Sequence, residues 1–327
     1  MRKIRAGIIG AAGYTGGELI RLLLNHPNVE IAFAQSTSHA NKSLYTAHND
    51  LFGETEMLFT ANYMEDIEVL FLCSGHQTAK KFLTENSINE SLVVIDLSQD
   101  FRHNNNNTIG SRKFIYGLPE LNKEKIKTAK SIANPGCFAT CIQLALLPAA
   151  QQQLLNGEIH VNAITGSTGA GQTISETSHF SWRYGNASVY KVFEHQHLQE
   201  ITESIAALQK NFDGTINFIP QRGSFTRGIL ASVYFSCNNT IDELLELYNT
   251  YYAAHSFVFI SSAALAIKQV ANTNKCFLHI DKHGDKVFIT SVTDNLLKGS
   301  SGQAVQNMNL IFGFDEKAGL QLKPSAF

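Results

Sequence analysis

The first 27 residues leave the fold little choice. KIRAGII (3–9) is an apolar run of strand length, and GAAGYTGG then brings glycines at positions 10, 13, 16 and 17. Behind them Leu19, Leu22 and Leu23 recur at helical spacing until Pro27. Strand, glycine turn and helix in that order predict the opening of a βαβ unit. Glycines let backbone amides approach a pyrophosphate, which also sits on the positive end of the following helix. The candidate cofactor-binding residues here are Gly10, Gly13, Tyr14, Thr15 and Gly16. The spacing is GxxGxxG rather than GxGxxG, so the competing reading is a tight structural turn; the flanking strand and helix favour the nucleotide.

The alternation continues. NVEIAFAQS (28–36), IEVLFLCS (67–74), LVVIDLS (92–98) and SIAN (131–134) read as strands, with a helix from about His76 to Leu83. Such alternation means a parallel sheet covered on both faces. HNNNNT (103–108) reads as a surface loop. The second half changes character. EIHVNAIT (158–165), GTINFIP (214–220), GILASVYFS (228–236) and the two arms around DKHGDK carry β-branched and aromatic alternation, with helices at about 197–209 and 241–253. That predicts an α+β domain with a mixed, largely antiparallel sheet. The tail LLKGSSGQAVQNMNLIFGF reads as one more amphipathic helix.

An NAD-preferring site has an acidic residue at the end of the second strand. Here the chain has Gln35, Ser36, Thr37 and Ser38, with Lys42 nearby. Hydroxyls and a lysine suit a 2′-phosphate, so Ser36 and Ser38 point to NADP(H). CSGHQT (73–78) predicts a second cofactor loop through Ser74 and Gly75, with Cys73 as a small buried filler.

Composition narrows the partners. The 327 residues carry a net charge of −2, with no basic stripe for nucleic acid and no polybasic membrane patch, which predicts a small-molecule partner. No apolar run reaches the ~18 residues of a membrane span. The opening MRKIRAGIIG runs straight into the glycine turn without the core of a leader, and the five cysteines are scattered without CxxC spacing. Both predict a cytoplasmic chain without disulfides or structural zinc.

SIANPGCFATCIQLALLPAA (131–150) places Cys137 behind an Asn-Pro-Gly turn, at the mouth of an apolar helix. Only a thiolate is a strong nucleophile, and the unpaired N–H groups and partial positive charge of a helix start favour it. The same amides are placed to receive an oxyanion. A cysteine at a helix start is more often structural, and Cys141 fits that reading. VFEHQHLQEI (192–201) supplies His195, His197 and Glu200: a base with an orienting carboxylate, or alternatively a metal set, which no further cluster completes. A thiolate beside a nicotinamide suggests one reaction class, hydride delivery to a bound thioester.

Together GIIGAAGYTGGELIRLLLNHP, VIDLSQDFR, YGLPELN, ANPGCFAT, GSTGAGQ, HQHLQEI, TRGIL and DNLLKGSSGQAVQNMN resemble the N-acetyl-gamma-glutamyl-phosphate reductase family, relatives of aspartate-semialdehyde dehydrogenase, over nearly the whole chain. The resemblance implies a Rossmann-type nucleotide domain (1–136 and 298–327) completed by the C-terminal helix, with a catalytic and dimerisation domain (137–297) between. It implies NADPH-dependent reduction of an N-acyl-glutamyl 5-phosphate to the 5-semialdehyde in arginine biosynthesis, with release of phosphate, by a homodimer or homotetramer. By the same resemblance Cys137 is the nucleophile and His195 the general acid/base. Arg102, Asn134, Ser167, His197 and Glu200 would shape the substrate site, and Gly169, Asn295 and Lys298 would lie near the cofactor. Two departures stand out. Phe138-Ala139-Thr140 follows the cysteine where many relatives read Tyr-Pro-Thr, and PQRGSFTRGI (220–229) inserts an extra arginine, Arg222. An added cation beside the acyl pocket suits an acidic acyl group such as succinyl. The rival readings are a reductase of aspartyl or aminoadipyl phosphate, a non-catalytic NADP sensor, and a cysteine hydrolase that leaves the glycine turn unexplained.

Overall fold

The computed structural model describes residues 2–75 and 77–325. It divides into two compact units, Met1–Pro135 with Ser300–Gln321, and Gly136–Gly299 with Leu322–Phe327.

The first unit is built on six strands: β1 (Ile4–Ile9), β2 (Val29–Gln35), β3 (Val69–Leu72), β4 (Val93–Asp96), β7 (Ile115–Tyr116) and β8 (Ser131–Ala133). A two-stranded hairpin of β5 (Thr108–Ile109) and β6 (Arg112–Lys113) stands apart. The sheet order is β2-β1-β3-β4-β8-β7, and every pair is parallel. β3, β4 and β8 are buried throughout, as strands covered on both faces must be. Phe33, Leu70, Leu72, Val94, Phe101 and Phe114 join in one core cluster. The chain leaves β1 toward β2, then returns to lay β3 on the other side of β1. The order reverses there, which opens a crevice beyond the carboxyl ends of those two strands.

Three helices, α1 (Tyr14–Leu24), α2 (Thr78–Glu85) and α3 (Pro119–Lys127), and a C-terminal helix (Gly302–Phe312) complete this unit. His76, expected to open α2, lies outside the described residues. The helix begins later because Gln77 is left-handed (φ 65°) and Asp100 caps it, accepting the amides of Gln77 at 2.7 Å and Lys80 at 3.0 Å. Neither β7 nor α3 is marked by hydrophobic periodicity: PELNKEKIK buries only Pro119, Glu120 and Ile126. The C-terminal helix corrects another expectation. It is not amphipathic: Gly302 through Leu310 are all buried. Its polar residues have internal partners, Asn309 Oδ1 with His26 Nε2 at 3.0 Å, and Asn307 Nδ2 with the Gly117 carbonyl at 2.9 Å.

The second unit has one seven-stranded sheet, ordered β10-β11-β9-β12-β15-β14-β13. The strands are β9 (Glu158–Thr165), β10 (Ser188–Val189), β11 (Thr215–Arg222), β12 (Ile229–Ser236), β13 (Val258–Ile260), β14 (Cys276–His283) and β15 (Lys286–Thr293). β9–β11 and β13–β14 pair parallel and the other pairs antiparallel, so the sheet is mixed and largely antiparallel. The helices α4 (Cys137–Gln151), α6 (His197–Leu208) and α7 (Ile241–Tyr252) pack on the sheet, and α5 (Phe180–Arg183) is a single turn. Ile229, Ala231, Val233 and Phe235 of β12 are buried, while Leu230, Ser232 and Tyr234 alternate onto a more open face.

α4 is apolar apart from Thr140 and Gln143 and is enclosed from Phe138 to Ala150, the pattern of a central helix. Pro148 inside it has no N–H to give the carbonyl of Leu144 one turn back. The Tyr252 hydroxyl donates to that carbonyl at 2.5 Å instead, and the Tyr248 hydroxyl to Ala145 at 2.6 Å.

Candidate functional site

Two constellations carry chemistry, one in each unit. In the first, Gly10 is left-handed (φ +75°), and a Cβ on it would lie 3.0 Å from the backbone of Cys73 and Ser74. The loops after β1 and β3 therefore meet at the reversal of strand order. A Cβ on Gly16 would lie 2.6 Å from Ala11 Cα, so α1 packs directly on the turn. Gly13 is the N-cap of α1 and offers no side-chain cap, which leaves the first-turn amides around Tyr14 and Thr15 open to an anion. Ser74 Oγ is buried without a partner among the described residues, as a hydroxyl awaiting a ligand would be; Gly75 beside it is open.

Three supports of this turn were not legible beforehand. Gln35 Oε1 accepts the Gly10 amide at 3.3 Å. His48, from a distant 3-10 turn, donates from Nε2 to the Ala11 carbonyl at 2.8 Å, and burial pushes its pKa down, so it stays neutral. The Ser301 hydroxyl donates to the Thr15 carbonyl at 2.9 Å. At the end of β2, Ser36 is buried with its hydroxyl 3.4 Å from that of Ser38, which is exposed and bonds His39 Nδ1 at 2.9 Å. Burial, with Asp96 nearby, pushes the Cys73 thiol far up, so it is a filler.

Arg102 and Asn134 are brought together in this unit, both buried. Arg102 donates from Nε to the Asn134 carbonyl at 2.8 Å and from a terminal nitrogen to the Leu97 carbonyl at 3.0 Å. The Asn134 amide donates to the Ser300 carbonyl at 3.0 Å and accepts from Asn307 at 3.1 Å. These bonds fix the ends of β4 and β8.

In the second unit Cys137 is the first residue of α4 and is partly exposed, whereas Cys141 is enclosed. Gly136, the N-cap, has its amide held by Glu200 Oε2 at 2.9 Å. A Cβ on Gly136 would lie 2.3 Å from the His197 ring, and one on Gly299 would lie 2.9 Å from Cys137 Cβ. Glycines on two sides thus let backbone and imidazole close around the thiol's own residue. Glu200 Oε1 stands 3.9 Å from His197 Nε2. His195 packs edge-on against Phe138, next to the cysteine, at 5.5 Å between ring centres, and against His197 at 4.6 Å. Its Nδ1 accepts the His197 amide at 3.2 Å, which leaves the proton of the neutral ring on Nε2. Burial above all, then the charges of His197 and Lys191, push its pKa down to about 3. The segment leading to it holds two non-glycine residues in left-handed conformation, Lys191 (φ 45°) and Phe193 (φ 61°), a strain of the kind that gathers at working sites.

His195, His197 and Glu200 do not form a group able to hold a metal ion among the described residues. Glu200 instead orients the turn before the thiol.

Ser167 and Gly169 lie in the 3-10 turn after β9, pinned by Ser167 N to the Phe225 carbonyl at 2.8 Å. Asn295 is buried and holds that loop, accepting the Gly228 amide at 2.6 Å and donating to Thr168 Oγ1 at 3.0 Å. Lys298 is fully enclosed, its ammonium 6.0 Å from the Phe257 ring. Sequence reasoning missed Asp294, which is fully buried and takes Arg227 in a two-pronged ion pair at 2.8 and 3.1 Å. It also accepts the amides of Leu296 and Leu297, setting the π-helical turn Leu297–Ser301. The only signal was opposite charges in TRGIL and DNLLKG.

Residues 5–129 match the family described as semialdehyde dehydrogenase, NAD binding domain, and residues 137–295 the semialdehyde dehydrogenase dimerisation domain. An N-acetyl-gamma-glutamyl-phosphate reductase of Christiangramia forsetii is 54% identical over 99% of this chain and 100% of its own. One from Bacteroides fragilis is 55% identical over 99% and 100%. Among solved structures, aspartate semialdehyde dehydrogenase II of Vibrio cholerae superposes with a TM-score of 0.72 at 16% identity, covering 96% of this chain and 99% of that one. Aspartate semialdehyde dehydrogenase of Candida albicans, solved with NADP, gives 0.65 at 13% identity, covering 97% and 99%. At such identities the likeness speaks for the fold.

Proposed function

The chain belongs to the N-acetyl-gamma-glutamyl-phosphate reductase family of semialdehyde-dehydrogenase proteins, and from that premise we propose that it reduces an N-acyl-L-glutamyl 5-phosphate to the 5-semialdehyde with NADPH, releasing phosphate, in arginine biosynthesis. The observation that carries this reading is Cys137 on the first residue of α4, with Glu200 clamping the turn before it and His195 against the residue after it.

The dinucleotide fits the residues present. Gly10, Gly13 and Gly16 leave a cradle that a side chain would fill, with the amides of Tyr14 and Thr15 and the unpartnered Ser74 hydroxyl beside Gly75 at its rim. Ser36 and Ser38, with no carboxylate at the end of β2, suit NADPH over NADH. When bound, the cofactor supplies the hydride. A methyl at position 16 meets backbone rather than a yielding side chain. Gly16→Ala is therefore expected to raise the Kd for NADPH more than about tenfold, an effect of about 1.4 kcal/mol. Fluorescence titration checks it; an unchanged Kd in a folded variant speaks against this cradle.

The chain's own chemistry follows. The Cys137 thiolate attacks the acyl carbon, the tetrahedral species collapses, and phosphate leaves, giving a thioester on Cys137. After reduction the thiohemiacetal breaks its carbon–sulfur bond, releasing the aldehyde and the thiolate. The helix start favours the thiolate and each oxyanion. His195, neutral with its proton on Nε2, gives that proton as a hydrogen bond to the developing oxyanion. His197 and Glu200 hold the turn, and Ser167 and Gly169 border the substrate from the loop after β9. Asn295 serves this site by holding the loop that carries Ser167 and Gly169.

The match to a dimerisation domain supports a homo-oligomer, a dimer or tetramer. The open face of the seven-stranded sheet, with Leu230, Tyr234 and Phe259, is the surface we assign to it. Five free cysteines suit the cytoplasm, and no described helix is long and apolar enough to cross a membrane.

The test is the reverse reaction. N-acetyl- or N-succinyl-glutamate semialdehyde, NADP and phosphate should yield NADPH only when all three are present. NADPH formed without phosphate points to simple aldehyde oxidation, and none formed overturns the reading.

A further inference from the structure

Asp294 follows β15 directly, and its carboxylate is shut off from water. Both oxygens are engaged. Oδ2 accepts from Arg227 Nε at 2.8 Å and from the Asn272 amide at 2.6 Å. Oδ1 accepts from a terminal nitrogen of Arg227 at 3.1 Å and from the amides of Leu296 and Leu297 at 2.8 and 3.0 Å. The Asp294 carbonyl accepts the Gly299 amide at 2.9 Å. Asp294 therefore grips the turn at 296–299 twice, by its side chain at the start and by its backbone at the end. That turn touches the nucleophile's own residue: a Cβ on Gly299 would lie 2.9 Å from Cys137 Cβ and 3.2 Å from its Cα. Only a glycine lets the two stretches of backbone come this close.

Arg227 reaches Asp294 from the segment between β11 and β12. Its neighbours tie that segment to the loop after β9: Thr168 Oγ1 donates to the Thr226 carbonyl at 2.6 Å, and the Gly166 amide to the Gly228 carbonyl at 3.0 Å. The cation thus stands on anchored backbone, and its planar fork admits one orientation of the carboxylate. Two opposite charges withdrawn from water add little net stability, because each gives up its hydration. What a two-pronged pair adds is direction, and here the direction is passed through the turn at 296–299 to Cys137.

Resting on the reductase reading above, we propose that Asp294 and Arg227 are positioning residues for the nucleophile: their ion pair holds Gly299 against Cys137 and so fixes where the sulfur stands at the start of α4. A thiolate displaced by about 1 Å from its line of attack loses on the order of 10²-fold in rate, with substrate binding little changed. The same pair also borders the loop of Ser167 and Gly169, where a defect would weaken substrate binding instead. The two roles separate in kcat against KM.

Asp294→Asn is the gentler cut. An amide has one acceptor oxygen, so one side of the clamp opens, and the charge left behind is Arg227, whose side chain is 19% exposed against 0% for Asp294. In the phosphate-dependent reverse reaction its kcat is expected to fall about 10- to 100-fold, with KM for the aldehyde and Kd for NADP within about twofold of the wild type. Arg227→Lys, which keeps the charge but not the fork, should lose less. Gly299→Ala leaves the ion pair intact and drives a methyl at Cys137, so it should lose kcat in the same way. Alkylation of Cys137 by iodoacetamide, followed by peptide mass, should slow about tenfold in Asp294→Asn and Gly299→Ala. A lowered Tm with wild-type kcat and alkylation overturns the proposal, since the pair is then only structural. So does a raised KM for the aldehyde with kcat held, since the pair then serves the loop after β9. Wild-type kcat and alkylation in Gly299→Ala overturn it whether or not Asp294→Asn folds. A wild type that forms no NADPH from either aldehyde overturns the reductase reading instead, and the alkylation rates still judge the pair.

Discussion

Cys137→Ser is expected to leave less than about one part in 10⁴ of the reductase turnover. A serine hydroxyl stays protonated at neutral pH, so the start of α4 has no anion to stabilise, and an oxygen ester would replace the thioester that accepts hydride. No neighbouring thiol takes over: Cys141 is enclosed, donates to the Ser291 side chain at 3.2 Å, and is pushed up to about 11 by burial. The variant should still bind NADPH, because the glycine cradle belongs to the other unit. Initial rates in both directions, with an NADPH titration alongside, check this. A serine enzyme retaining a percent or more of the rate would sink covalent catalysis at residue 137.

His195→Leu is expected to lower kcat by about 10²- to 10⁴-fold, with His195→Gln recovering part of the loss because its amide keeps an N–H donor. The argument rests on the state of the ring. With its pKa pushed down to about 3, chiefly by burial, His195 is neutral throughout the working range, and the acceptor role of Nδ1 leaves the proton on Nε2. The kcat profile should therefore show no limb between pH 5 and 8 that disappears with His195.

The same shift fixes the sign of a stability effect. In the unfolded chain this histidine takes a proton near pH 6.5, but in the folded chain only near 3. The unfolded state binds more protons between those values, so the stabilisation present above pH 6.5 is lost as pH falls through that window. Going from pH 7 to 5 should cost the wild type about 2 kcal/mol through this residue, and His195→Gln should be spared that loss. Urea melts at the two pH values measure the difference; identical acid sensitivity would sink the claim of a neutral, buried ring.

Much of the site was legible in the chain because it depends on local order. A strand, glycines and a helix in succession place a phosphate cradle wherever they fold, and a thiol behind Asn-Pro-Gly meets the helix start that follows it. The supports were not legible. His48 reaches the Ala11 carbonyl from 37 residues away, and Glu200 reaches the Gly136 amide from 64. A single histidine or glutamate has no periodicity to reveal its partner. The C-terminal helix misled for a related reason: Gln303, Gln306, Asn307 and Asn309 look like a wet face, and only the backbone and side-chain partners supplied by distant segments make such residues interior.

The chain by itself determined the two kinds of sheet, the nucleotide turn, the thiol and the histidine pair, because hydrophobic period and glycine placement act over a few residues. Tertiary structure alone decided the protonation of His195, the two-sided closing of glycines on Cys137, and the stacking of Arg222 on Tyr190. Burial and pairing are properties of what surrounds a side chain, and those surroundings come from segments far apart in sequence.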